Sequence, residues 1–221
     1  MPTNMLKLSS IFSKENCKIF FKILILVLIL ATIVIITLPK ESIKIMEIRN
    51  IGKKLGSLSA ILFCLSITTG IINRFQNLKI STLDLGQKIF QRIKPLGSYL
   101  MYSRTQIGIA MFVSALSHYV LITIIPIIKY GRTVQPQSYL TFGFLALFLS
   151  FWLAITSNWF SKKLLKTNWK RLHSLVYIIV WLIFLHVALI DLSLISVIVL
   201  FFAILETTSL FYRKFNKSSH G

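Results

Sequence analysis

The chain alternates long runs without charged residues and short segments rich in Lys and Arg. The apolar runs have about the length that a helix needs to cross a hydrocarbon core roughly 30 Å thick. Six such runs are present: Ile23–Leu38, Leu55–Ile72, Thr105–Ile128, Ser138–Phe160, Leu172–Ile190 and Leu192–Phe211. The pattern therefore predicts an all-α integral membrane protein, built as a bundle of six transmembrane helices.

The last two runs are separated by a single charged residue, Asp191. One continuous helix from Leu172 to Leu205 would be about 51 Å long at 1.5 Å per residue. That length far exceeds the thickness of the hydrocarbon core. We therefore predict two antiparallel spans joined by a tight turn at Asp191.

Composition excludes an ordinary soluble domain. The 221 residues are 55% hydrophobic and only 14% charged, with a mean hydropathy of +0.76, whereas soluble domains carry about 25% charged residues. The net charge of +19 could suggest a nucleic-acid partner. The basic residues instead occur in short runs beside the apolar segments, as anchors to membrane lipid do. We therefore expect membrane lipid, and no nucleic acid, as a partner.

The distribution of Lys and Arg predicts the orientation. The N-terminal tail, segments 73–104 and 161–171 and the C-terminal tail share one side and hold 18 basic residues. The other side holds 7. The positive-inside rule then places both termini in the cytoplasm. This is the pattern of a multi-pass protein of the cell inner (plasma) membrane.

The segment between the second and third spans contains a helical pattern. Leu85, Ile89 and Ile93 are spaced four apart and are surrounded by basic residues. A short amphipathic helix over Leu83–Ile93, lying on the inner leaflet, would explain this spacing. A solvated loop is equally consistent with it.

Three of the four histidines, His118, His173 and His186, lie in or at the third and fifth spans. Ionisable side chains are expensive within a membrane and are functional by default. Glu206, near the cytoplasmic end of the sixth span, can extend its carboxylate to the interface. The recurrent use of imidazole in such a bundle is ligation of haem iron. A histidine that forms a hydrogen-bonded contact between helices is the plainer interpretation.

Depth favours one pair of ligands. His118 follows Arg104 by 14 residues and His186 follows Arg171 by 15, which corresponds to about 21 and 22 Å of helix. Both helices run outward, so the two imidazoles should lie at nearly the same level, toward the outer leaflet. One haem b between the two helices could take an axial nitrogen from each.

His173 lies 13 residues before His186, about 20 Å deeper and some 140° away around the helix. The third span offers no histidine at that level. We call the region around His173 the inner site. It could hold a second haem with an unusual second ligand, an FMN or quinone in contact with His173, or no cofactor.

The same residues resemble the ferric-reductase-like transmembrane family. One segment runs Arg104-Thr-Gln-Ile-Gly108, with Phe112 and His118 following. The others are Ala154-Ile-Thr156-Ser157, then Trp169-Lys-Arg-Leu172-His173-Ser-Leu-Val176-Tyr177, then His186. The resemblance covers about Arg104 to Leu189. Within the family, the chain most resembles the haem-binding membrane subunit of the periplasmic methionine-sulfoxide reductase system.

The resemblance implies a b-type cytochrome, the electron-transfer subunit of an oxidoreductase system, with His118, His173 and His186 as haem ligands. It implies a cytoplasmic flavin reductase or a membrane quinol as donor. The acceptor would be extracytoplasmic, either a methionine-sulfoxide reductase-like protein or ferric iron. Arg104 and Arg171 could pair with haem propionates or with an acidic donor, although anchoring explains them equally well.

The resemblance also suggests a division of the chain. Residues 1–54 would form the N-terminal tail, first span and outer loop, residues 55–190 the haem-binding core, and residues 191–221 the last span and basic tail. A different class of function stays open. A membrane-complex assembly partner or a small transporter could use the histidines for packing, although the chain shows neither repeated halves nor Gly/Pro-interrupted helix pairs.

Overall fold

The fold is known from a computed structural model, which describes residues 14–39, 44–76, 84–133, 135 and 137–218. Regular structure in these residues is entirely helical. Six helical stretches in this part of the chain are long and apolar enough to cross a membrane: Glu15–Thr37, Ile45–Ile72, Leu100–Tyr130, Ser138–Ile155, Thr167–Ile190 and Leu194–Phe211. The predicted all-α architecture with six spans is confirmed.

The first three spans are formed by α1 (Lys14–Thr37), α2 (Ile45–Gln76) and α3 (Asp84–Tyr119). The third span continues beyond α3 through a π-helical turn (Val120–Ile124) into α4 (Ile125–Tyr130). The fourth span is α5 (Ser138–Ile155). A connection containing α6 (Trp159–Leu165) leads to the fifth span, α7 (Thr167–His173) and α8 (Val176–Ile190). The sixth is α9 (Leu194–Ser218).

Two helices extend well beyond their charge-free runs. α2 begins at Ile45 rather than near Leu55, because its first turns are amphipathic. Ile48 is buried in this stretch, whereas Arg49 and Lys53 are exposed. Charged side chains on one face of a helix do not end it when the opposite face is packed.

The backbone over 84–93 is helical, but it is continuous with the third span rather than a separate short helix. The amphipathic surface predicted for Leu83–Ile93 depends on side chains outside the described part of the structure. The terminal segments 1–13 and 219–221, with His220, also lie outside it.

The turn at Asp191 is confirmed. Asp191 leaves the helical region, with φ −164° and ψ 136°, and residues 191–193 connect α8 to α9. α8 and α9 then pack against each other as an antiparallel pair.

Five of the spans form a ring in which α3 packs on α2 and α5, and α8 packs on α5 and α9, while α9 closes the ring against α2. α1 packs on the outside of α3. The central core draws buried residues from five helices, α1, α2, α3, α8 and α9, and includes Phe63, Ile107, Ile179, Val180 and Ala203. Ile179 and Val180 lie midway along the chain between His173 and His186, so the packed core separates the levels of these two histidines.

Hydrogen bonds cross the interfaces of α3. Ser114 donates to the Leu55 carbonyl at 2.9 Å, and Ser59 donates to the Met111 carbonyl at 3.2 Å. The hydroxyls of Thr32 and Ser117 are hydrogen-bonded at 2.8 Å. Such bonds between small polar side chains and a neighbouring helix fix the register of transmembrane helices. They hold α3, the helix that carries His118, on both sides.

Candidate functional site

His118 and His186 lie next to each other. Their ring centroids are 6.2 Å apart and the ring planes meet at 74°. The predicted placement of the two imidazoles at one level is therefore confirmed. The pair joins α3 to α8 near the end of the bundle at which α5 begins.

Each ring uses the same nitrogen to bond a backbone carbonyl. Nδ1 of His118 donates to the Gly52 carbonyl at 2.8 Å, and Nδ1 of His186 donates to the Tyr139 carbonyl at 2.7 Å. Because a carbonyl oxygen can only accept, both Nδ1 atoms carry the proton. Nε2 of each ring remains as the nitrogen with a lone pair. In metal sites, a hydrogen bond of this kind from the other ring nitrogen orients the histidine ligand.

Two glycines lie directly against these rings. A β-carbon on Gly56 would be 2.8 Å from Nδ1 of His118, and one on Gly143 would be 2.7 Å from Nδ1 of His186. No side chain fits at either position without displacing the imidazole. Each ring is thus confined by its hydrogen bond and by the backbone of the neighbouring helix.

The helix geometry changes just after His118. The backbone N–H of Ile125 bonds the Val120 carbonyl, which is the i to i+5 bond of a π-helix. Pro126 follows, and its ring would clash with the Ile122 carbonyl in an unbroken α-helix. The wider turn accommodates that proline, and π-bulges of this type are frequent at functional sites.

The separation of the two rings can be compared with that of two imidazoles bound to one metal ion. Bonds from a metal to imidazole nitrogen are about 2.0 Å, so two in line plus the half-widths of both rings place the ring centres about 6 Å apart. The observed centroid separation of 6.2 Å is close to this value, so Nε2 of His118 and Nε2 of His186 are the atoms that would hold an iron between the two rings. Among the described residues, no group of three or more His, Cys, Asp or Glu side chains is placed to hold a metal ion.

His173 has different surroundings. Its Nε2 lies 3.3 Å from Oγ1 of Thr156, and its ring is stacked on Trp169 with centroids 4.1 Å apart. The Thr156 hydroxyl donates its proton to the Trp152 carbonyl at 2.7 Å, so we assign Nε2 of His173 as the donor to Thr156. His173 thus presents Nδ1, the opposite nitrogen to that left by His118 and His186.

A single helix positions both sites. The Tyr139 carbonyl, in the first turn of α5, bonds His186, whereas Thr156 at the other end bonds His173. The 17 residues between them correspond to about 25 Å. The two histidine sites therefore lie near opposite ends of the bundle.

Arg104 and Arg171, the two arginines predicted to bind a cofactor or donor, lie on different helices. Arg104, from α3, has an exposed side chain whose charge lies within electrostatic range of His173. Arg171 lies on α7, two residues before His173, and its side chain is exposed. Both arginine side chains are thus exposed, and Arg104 is the one that interacts electrostatically with His173.

The expectation that Glu206 reaches the interface is wrong. Its side chain is only 2% exposed and lies inside the bundle. Ser196, Val199, Ala203 and Glu206 all belong to the buried face of α9. That helical spacing was the signal in the sequence that places Glu206 inward.

Sequence reasoning also missed the glycines. Gly52 and Gly56 form a Gly-x-x-x-Gly pair, a pattern that allows close approach of transmembrane helices. Gly52 supplies the carbonyl for His118, and Gly56 supplies the space beside the same ring. Gly143 is isolated in an apolar run and carries no comparable signal.

The chain matches one known family of membrane proteins. The model of the family described as ferric reductase like transmembrane component matches residues 55–184, more than half of the chain. The chain belongs to this family. It is a multi-pass membrane protein, and membership indicates a transmembrane electron-transfer component. No solved structure matches the chain.

The family match includes His118 and His173 and ends two residues before His186. The pairing of His186 with His118 is therefore a result of the structure rather than of the match. The contact also connects the matched region to the outer end of α8.

Proposed function

We propose that this protein is a membrane b-type cytochrome that carries electrons across the inner (plasma) membrane. The observation that carries the proposal is the pair of imidazoles with ring centroids 6.2 Å apart. Both rings are anchored through Nδ1, and both leave Nε2 for a metal. A contact made only for packing does not require this matched orientation.

Nε2 of His118 and Nε2 of His186 would hold the iron of a haem b. The haem would supply a one-electron redox centre in the outer half of the bundle. The protein's own contribution is orientation: the carbonyls of Gly52 and Tyr139 fix the tautomers, and Gly56 and Gly143 confine the rings. Hydrogen bonds of this kind to the ligating rings tune their basicity and hence the redox potential.

We propose that His173 contacts a second redox group near the other end of α5. Its ring is held by Trp169 and Thr156, and Arg104 adds a positive charge beside it. An anionic or quinone-type group suits this environment, so a second haem, FMN or a quinone could occupy it. Nδ1 of His173 is the nitrogen left for the contact.

The donor would reach the His173 end from the cytoplasm, as a flavin reductase, or from the membrane, as a quinol. The acceptor would lie beyond the His118 end, as an extracytoplasmic protein like methionine-sulfoxide reductase or as ferric iron. The distribution of basic residues supports this direction. Arg171, exposed on α7, is available to an acidic donor.

A reduced-minus-oxidised absorption spectrum of the detergent-purified protein tests the proposal, with haem counted per chain as the pyridine haemochrome. One low-spin haem b per chain would support the outer site, and two would support both sites. A colourless protein after expression with added haem would overturn the proposal. It would leave the histidines as packing contacts in an assembly partner or small transporter.

A further inference from the structure

The connection between the fourth and fifth spans carries a concentrated positive charge. Residues 159–171, hereafter the basic segment, contain Lys162, Lys163, Lys166, Lys170 and Arg171 and no acidic residue. All five basic side chains are exposed. The basic segment lies on the side of the bundle that the distribution of Lys and Arg assigns to the cytoplasm.

Large apolar side chains are exposed among these charges. Trp159 is 74% exposed, Phe160 68% and Leu164 69%. They belong to α6, which begins four residues after α5 ends at Ile155. Exposed apolar surface next to a span favours insertion into the interface of the bilayer, where Trp is enriched.

Two lysine side chains of α6 lie over tryptophan rings. Nζ of Lys163 lies 5.2 Å from the ring centroid of Trp159, and Nζ of Lys162 lies 5.4 Å from that of Trp169. Lys166 joins α6 to α7 with a φ of 47°, a conformation that non-glycine residues rarely adopt. The three lysines thus come from one short helix and the turn that ends it.

We propose that the basic segment binds the headgroup of an anionic phospholipid. Lys162, Lys163 and Lys166 contact the phosphate, while the apolar side chains of α6 enter the interface. The cytoplasmic leaflet is anionic and attracts basic segments next to spans. An acidic protein partner would explain the lysines, but it would not explain why Trp159, Phe160 and Leu164 are exposed beside them. The proposal does not depend on haem.

Native mass spectrometry of the detergent-purified protein tests this, with added phosphatidylglycerol compared with phosphatidylcholine. The triple variant Lys162→Gln/Lys163→Gln/Lys166→Gln should bind phosphatidylglycerol about 100-fold more weakly, since each basic residue near an anionic surface contributes about fivefold. Binding of phosphatidylcholine should not change. The matched control is Lys44→Gln/Lys53→Gln/Lys54→Gln, which removes three exposed lysines near the start of α2.

Equal loss of phosphatidylglycerol binding in both triple variants would show that only net charge matters, which would overturn the proposal. Unchanged binding of phosphatidylglycerol by the first variant would also overturn the proposal, and an acidic protein would then be the partner of these lysines. A second variant, Trp159→Ser/Leu164→Ser, keeps every charge and should weaken the binding of both lipids. Thermal unfolding in the same detergent identifies a variant that fails to fold.

Discussion

A β-carbon built on Gly143 would lie 2.7 Å from Nδ1 of His186. The same nitrogen bonds the Tyr139 carbonyl, one turn earlier on α5. His118 stands in the same relation to Gly56 and Gly52 on α2. Each histidine of the pair is thus held by the backbone of a neighbouring helix, which supplies both a carbonyl and a glycine.

We expect Gly143→Ala and Gly56→Ala to rotate or displace the imidazoles. The helices themselves should tolerate alanine, which has a higher helix propensity than glycine. In a haem-loaded protein, ring planes 74° apart should give a strongly anisotropic low-spin ferric EPR signal. Each alanine variant should alter that signal and shift the midpoint potential, or lose the haem.

The matched control for the glycines is Gly108→Ala on α3, because a β-carbon there would meet no protein atom within 4 Å. Its EPR signal from the His118 and His186 site should equal that of the parent protein. If Gly143→Ala and Gly56→Ala also give the parent signal and potential, the glycines do not position the ligands.

The ligand assignment predicts different results for the three histidines. His118→Ala and His186→Ala should each remove the same haem, because each deletes one of two axial bonds. His173→Ala should keep that haem, since its ring contacts Trp169 and Thr156 rather than the pair. Haem per chain, measured on monodisperse protein, checks this. Retention of full low-spin haem in His118→Ala would contradict the assignment.

Thr156→Val tests the inner site without removing a histidine. The variant keeps the shape of the side chain and deletes the hydroxyl that lies 3.3 Å from Nε2 of His173. Reduction of the outer haem by a soluble quinol should slow by about tenfold, or about 1.4 kcal/mol in activation free energy. The haem content and its potential should not change.

The control for Thr156→Val is reduction by dithionite, which needs no donor site and should proceed at the parent rate. Thr207→Val on α9 is a second control, because the Thr207 hydroxyl also bonds its own helix, at the Ala203 carbonyl. If quinol reduces Thr156→Val at the parent rate, His173 does not belong to the donor site.

Hydropathy was sufficient to predict the spans, because each crosses an apolar solvent and must be apolar along most of its length. The level of His118 and His186 was also predictable, since the rise of a helix is constant. The distribution of charged residues did not predict that α2 begins as early as Ile45. Arg49 and Lys53 interrupt the apolar run, yet they occupy one exposed face of a helix whose other face is packed.

Side-chain surroundings were harder to predict, because they depend on which helices become neighbours. The bond from His186 to the Tyr139 carbonyl joins residues 47 positions apart, and the bond from His118 to Gly52 joins residues 66 apart. A backbone carbonyl carries no sequence signal of its own. The different tautomer of His173 likewise follows from its contact with Thr156, which lies at the end of α5.

The attachment of α1 gives the last prediction. Nζ of Lys129 donates to the Leu38 carbonyl at 2.7 Å and to the Ile35 carbonyl at 3.2 Å, so it caps the outer end of α1. Hydrogen bonds from a charged group contribute about 1.5–3 kcal/mol. Lys129→Met should therefore lower the thermal stability and expose α1 to proteolysis. Arg132→Met removes an exposed cation from the same connection and should leave the melting temperature unchanged. Equal melting temperatures for the two variants would show that the cap does not hold α1 against α3.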